Sequence, residues 1–192
     1  MAATLTVITG PMFSGKSKEL IRTLEVIEIA KRSIVVIKPK VDTRTNQEIA
    51  ARTKKCDKQF EKLSTFPAHS VSSAAEVYDL LEQNKCDVLA MDEAQFFEDW
   101  AVELVNDLLE EKRATDFKII VAGLDMDHQK KPFGPMPKLM AIADEVIKLK
   151  AVCEICRQLP ENAIFTKKVG GSTEQVEIGD KDIYQARCRA CH

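Results

Sequence analysis

Apolar positions change their period several times along the chain, and the changes outline alternating strands and helices. Leu5-Thr6-Val7-Ile8-Thr9 is a short apolar run suited to a buried parallel strand. Leu20, Leu24 and Ile27 then recur at helical spacing. Ile34-Val35-Val36-Ile37-Lys38 reads as a second buried strand, stopped by Pro39. From Lys40 to about Ser70 the chain turns polar and loses its period, which predicts a long solvated surface excursion. Ala74, Val77, Leu80 and Leu81 mark one face of a helix running to Asn84, and Asp87 to Met91 reads as a strand. Trp100 to Lys112 is amphipathic, with Val102, Leu104, Val105, Leu108 and Leu109 on the buried side and Trp100 expected in the core. Lys118 to Gly123 is the next strand, and Val146, Ile147 and Leu149 suit a last one. This alternation predicts an α/β fold whose sheet is mostly parallel, with helices on both faces.

Composition narrows the class. The 192 residues suffice for one ordinary domain and a small appendage, divided here as 1–150 and 151–192. With 45% apolar and 30% charged residues, the chain reads as soluble and globular, neither disordered nor membrane-embedded. The net charge of −2, with both signs interspersed, gives no basic field to recruit nucleic acid or an anionic membrane. No apolar run approaches the roughly 20 residues of a membrane helix, and the N-terminus lacks a secretion signature. A cytoplasmic location is expected.

Candidate chemistry begins directly after the first strand. Gly10-Pro11-Met12-Phe13-Ser14-Gly15-Lys16-Ser17 reads GxxxxGKS, the phosphate-binding loop of nucleoside triphosphate enzymes, and it sits between a strand and a helix. Backbone N–H groups at the helix start would face the phosphates, where the helix dipole favours negative charge. Lys16 would reach the β- and γ-phosphates, and the Ser17 hydroxyl would ligate Mg²⁺. The apolar strand ending in Asp92 has the Walker B pattern and is expected beside the phosphate-loop strand, with Asp92 holding Mg²⁺. A strand-end Asp capping the next helix is the plainer alternative. Glu93, one step further, could accept a proton from whatever attacks the γ-phosphate, be it water or a substrate hydroxyl. Arg44 follows a strand end, where ligands gather in α/β sheets.

The tail from Ala151 changes character. Cys153/Cys156 and Cys188/Cys191 form two CxxC knuckles separated by Arg157 to Arg187. Four thiolates of this kind suit tetrahedral Zn²⁺ in a structural site; disulfides are the alternative, and His192 could compete as a ligand. Cys86 opens a strand and reads as a small core residue, while Cys56 lies in a Lys-rich polar stretch.

Taken in order, GPMFSGKS, DEAQFF, KPFG, a CxxC and a distal IG…Y…CRxC segment resemble the type II thymidine kinase family, from Thr4 to Cys191. That resemblance implies a RecA-like P-loop NTPase sheet with a small zinc-binding lid. It implies transfer of the γ-phosphate of ATP to the 5′-hydroxyl of thymidine or deoxyuridine, with Glu93 as general base and Gln95-Phe96 extending its signature. Lys16, Ser17 and Asp92 keep the roles argued above, Gln95 joins the nucleotide-binding set, and Arg44 matches a phosphate-neutralising arginine. A zinc-pinned loop would close over the base, read through main-chain groups near Gly179. Met12, Leu124, Phe133, Thr166, Val176, Ile178 and Tyr184 fall where an apolar cage is expected. His128 stands near the base where many relatives carry Phe, adding a polar edge. Asp180 replaces the second glycine of a pair. A homotetramer inhibited by thymidine triphosphate is also implied. The competing expectation is a P-loop ATPase with a zinc ribbon acting on nucleic acid.

Overall fold

The computed structural model describes residues 2–42, 47–54, 60–170 and 183–192. β1 (Thr4–Thr9) leads through the glycine loop into α1 (Lys16–Ile29), and β2 (Ile34–Pro39) follows. β3 (Glu48–Lys54) and β4 (Phe60–Pro67) pair as an antiparallel ribbon, and β5 (His69–Val71) runs parallel to β2. Then come α2 (Ala74–Asn84), β6 (Val88–Met91), a single 3-10 turn at Ala94–Phe96, α3 (Trp100–Glu111) and β7 (Lys118–Gly123). α4 (Met136–Ile142) and β8 (Glu145–Lys148) complete the larger part, and β9 (Phe165–Lys168) pairs antiparallel with β10 (Tyr184–Arg187) in the tail.

The central sheet has the order β5-β2-β6-β7-β1-β8, and every pairing in it is parallel. Both faces are covered, which is why its inner strands read as unbroken apolar runs. Alternate residues supply two cores. Leu5, Val7, Leu89, Met91, Ile119 and Val121 pack with α2, α3 and α4 on one face. Ile8, Val88, Ala90, Ile120 and Ala122 pack with Leu20, Ile21 and Leu24 of α1 on the other. Trp100 packs at the margin of the first core, edge-on to Phe97, as expected. Cys86 packs beside the same core, and its thiol donates to the Val88 carbonyl at 3.0 Å.

The structure corrects three expectations. The Walker B strand does not lie beside the phosphate-loop strand: β7 stands between β6 and β1. Hydrophobic pattern identifies a strand but carries no information about its neighbours. Residues 40–70 are not one long excursion, since β3, β4 and β5 fall within them. Ile49 and Phe66, register partners across the ribbon, join the α1-side core. The ribbon's apolar residues follow no period of two along the sequence. α4 was also hidden: it starts at Met136, one residue after Pro135, inside a stretch whose prolines suggest only a turn.

β8 does form at the edge of the sheet, with Val146 turned 40% to solvent.

Candidate active site and metal centre

Because the strands run parallel, β1, β6, β7 and β8 all end on one side, where the glycine loop lies. Gly10 has φ +143°, and a Cβ there would come 2.4 Å from the Leu149 carbonyl oxygen. Only glycine fits that approach. Phe13 (φ +66°) and Gly15 (φ +86°) turn the loop, and Gly15 then caps α1 with no side chain bonded to the helix start. An uncapped helix N-terminus flanked by left-handed residues is a ready phosphate cradle. Ser14 Oγ and Lys16 Nζ both donate to the Pro11 carbonyl, at 2.8 and 2.9 Å, so the lysine is held across the loop. Ser17 lies half-buried in the first helical turn.

Asp92 directly follows β6, is 6% exposed, and its N–H donates to the Ile37 carbonyl of β2 at 3.0 Å. Glu93 takes a left-handed backbone (φ +51°) and begins the 3-10 turn. Its Oε2 accepts from Gln95 Nε2 at 2.6 Å, while Gln95 Oε1 accepts the Leu124 N–H at 2.9 Å. The buried Gln95 amide therefore ties the carboxylate to the end of β7. The intervening strand β7 is what makes this brace possible. Gly134 (φ +51°) packs against the same residue, since a Cβ there would lie 2.2 Å from the Gln95 carbonyl oxygen.

The segment after β7 forms the next wall. Asp127 Oδ1 accepts the N–H groups of Gln129 and Lys131 at 2.8 and 2.9 Å, closing a tight reversal that carries the half-buried His128. Phe133 N–H bonds the Asp125 carbonyl, and the Phe133 ring stands edge-on to Phe96. Buried Asp125 pairs with Lys148 Nζ at 2.6 Å, across the carboxyl end of β1. Leu124 is 9% exposed. The sequence reading singled out none of Lys38 (0% exposed), Asp42 (9%), Asp125 and Asp127. A lysine inside an apolar strand is the one signal that could have marked this region, because a buried charge requires partners.

In the tail, the sulfurs of Cys153, Cys156, Cys188 and Cys191 all lie within 4.8 Å of one another, with Cys156 and Cys188 3.9 Å apart. A tetrahedron with metal–sulfur bonds of about 2.3 Å has edges of about 3.8 Å, so the set fits Zn²⁺. Asn162 Nδ2 approaches Cys156 Sγ at 3.7 Å as an outer donor, and Arg187 Nη1 fixes the Cys191 carbonyl at 3.0 Å. Burial opposes ionisation of Cys153, but N–H groups of Cys156, Cys188 and Ile155 outweigh it and bring that thiol down to about 6. The Cys188 thiol, then burial, pushes Cys191 up to about 12. His192 stands aside, its ring edge-on to Phe165.

The tail also meets the phosphate loop. Thr166 and Tyr184 are buried on β9 and β10, and Thr166 Oγ1 accepts the Met12 N–H at 2.9 Å. Met12, Leu124, His128, Phe133, Thr166 and Tyr184 are thus all described. Arg44, Val176, Ile178, Gly179 and Asp180 lie outside the described residues, as does Cys56. Among the described residues, no helix is long and apolar enough to cross a membrane.

A phosphate loop at the carboxyl edge of an all-parallel sheet, with the Walker acid two strands away, defines a P-loop nucleotide-binding protein. Comparison with known proteins makes this specific. A family model described as thymidine kinase matches residues 3–192. A thymidine kinase of Mesomycoplasma hyopneumoniae is 43% identical over 187 residues, covering 97% of this chain and 93% of the relative. One of Mycoplasma mobile is 38% identical, covering 97% and 85%. The chain belongs to the thymidine kinase family. It is accordingly a kinase that uses ATP, and nothing supports an ATPase acting on nucleic acid.

Proposed function

We propose that the chain transfers the γ-phosphate of ATP to the 5′-hydroxyl of thymidine, and also of deoxyuridine, with Glu93 as the general base. The braced carboxylate carries this reading. Gln95 Nε2 donates to Glu93 Oε2 at 2.6 Å and so orients the carboxylate. A base held this way at the ligand edge of the sheet can take the hydroxyl proton as the oxygen attacks phosphorus. Loop N–H groups and Lys16 hold the β- and γ-phosphates, with Arg44 neutralising their charge. Ser17 and Asp92 offer the hard oxygen donors that would hold Mg²⁺, which would supply positive charge to offset that of the phosphates.

Residues 1–150 form the nucleotide-binding domain and 151–192 the lid. Thr166, Tyr184, Val176, Ile178 and the backbone at Gly179 enclose the base against Met12, Leu124, His128 and Phe133. The four cysteines anchor that lid through zinc. A cytoplasmic homotetramer inhibited by thymidine triphosphate belongs to the same proposal, as does the lack of a nucleic-acid or membrane partner. Glu93→Gln tests the base. It keeps size and polarity, so MgADP affinity stays near wild type while kcat falls about 10²- to 10⁴-fold. A near-normal kcat would remove Glu93 from that role.

A further inference from the structure

The phosphate loop and the metal-bearing tail touch at successive loop positions. Gly10 abuts the Leu149 carbonyl, two residues before Ala151 opens the tail. Met12 N–H donates to Thr166 Oγ1 at 2.9 Å. Phe13 packs against the tail's own small core of Ala151, Cys153, Ala163, Ala186 and Cys188. Thr166 is 5% exposed and pairs in register with Ala186, two residues before the ligand Cys188.

We propose that Thr166 is a positioning residue for nucleotide binding: its hydroxyl latches the phosphate loop through the Met12 amide and so couples the loop's shape to the cysteine cluster. Pro11 has no N–H, so Met12 carries the loop's first interior donor, and that donor is turned toward the tail. The β-branched Thr166 has few rotamers, which gives the Met12 N–H a fixed acceptor. Fixing this point narrows the shapes open to Phe13, Ser14 and Gly15 before any phosphate arrives. A preformed cradle loses less freedom on binding, so the latch strengthens nucleotide affinity. The tail then serves both substrates, closing over the nucleoside and holding the loop for ATP. The inference rests on the kinase reading only in taking this loop as the nucleotide site.

The test is calorimetric titration of MgADP into wild type, Thr166→Val and Thr166→Ser, with no nucleoside present. Valine keeps the shape and removes the acceptor, so ADP affinity falls about tenfold. Serine keeps the hydroxyl and stays within about twofold of wild type. Wild-type affinity in Thr166→Val, or equal loss in the serine variant, would overturn the latch. Hydrogen exchange at the Met12 amide of the wild-type protein gives a second reading that needs no variant. Stripping the metal with a chelator should speed exchange there about tenfold while β1 and β7 amides stay unchanged, and an unchanged Met12 amide would also overturn the proposal. Both readouts omit thymidine, so a chain that failed to phosphorylate it would still score the latch independently.

Discussion

Two cysteines show how differently the two parts of this molecule are held together. Cys86, packed beside the larger core, is pushed up to about 11 by burial and behaves as a small hydrophobe. Cys153 in the tail is brought down to about 6 by surrounding N–H groups that outweigh its burial. The sheet is stabilised by continuous apolar packing on both faces, from Leu5 and Val7 on one side to Ile8 and Leu24 on the other. Among the described residues, the cluster around the tail's sulfurs consists of small side chains, Ala151, Cys153, Ala163, Ala186 and Cys188, and a core of that size leans on a crosslink or metal. One part should therefore survive loss of metal and the other should not. The two parts touch at Met12, Phe13 and Thr166.

Breaking the metal side should give the largest effect on this contrast. Cys156→Ala removes one ligand of four, so metal content falls toward zero and nucleoside affinity drops on the order of 100-fold. The main unfolding transition of the sheet, followed by circular dichroism, should persist in the same sample. Retained metal would mean that the ligand set is wrong.

A smaller effect is expected on the sheet side, at Gly134. The added methyl of Gly134→Ala meets the Gln95 carbonyl in a left-handed backbone, shifting the amide that orients Glu93. A displacement of that kind should lower kcat about 10-fold with metal content unchanged. An unaltered kcat would show that the Gln95 brace does not matter for turnover.

The smallest effect concerns Cys86. Its folded-state value lies above its ordinary one, so its contribution to stability is complete below about pH 9 and lost as pH rises through about 11. Denaturant midpoints of wild type and Cys86→Ala should run parallel up to about pH 9. Above it the wild type should lose stability faster. Parallel curves to pH 11 would place the thiol in a wetter site.

The sequence revealed the loop and the cysteine cluster well, because each is defined by residue type at fixed spacing. Gly10, Gly15 and Lys16 stand where backbone geometry and charge demand them, and the two CxxC knuckles carry their own ligand geometry. It revealed the order of strands poorly. Nothing in Val88 to Met91 says that β7 will be its neighbour, so the bond from Leu124 N–H to Gln95 could not be foreseen. The β3–β4 ribbon escaped because its apolar residues Ile49, Ala50, Ala51, Phe60, Leu63 and Phe66 follow no period of two, and α4 because proline at its start imitates a turn. Thr166 stands out in the sequence through family resemblance alone, as an expected cage residue. Its bond to Met12 joins positions far apart in the chain and leaves no periodic trace.

The central claim is that the two regions together make a kinase for thymidine, and product balance tests it most directly. ADP release from MgATP would be measured with and without thymidine, with deoxyuridine and deoxycytidine in parallel. The account predicts release that depends on thymidine or deoxyuridine, with thymidine monophosphate appearing in amounts equal to ADP. Release that ignores every nucleoside, with free phosphate as its partner product, would contradict it and leave Glu93 activating water.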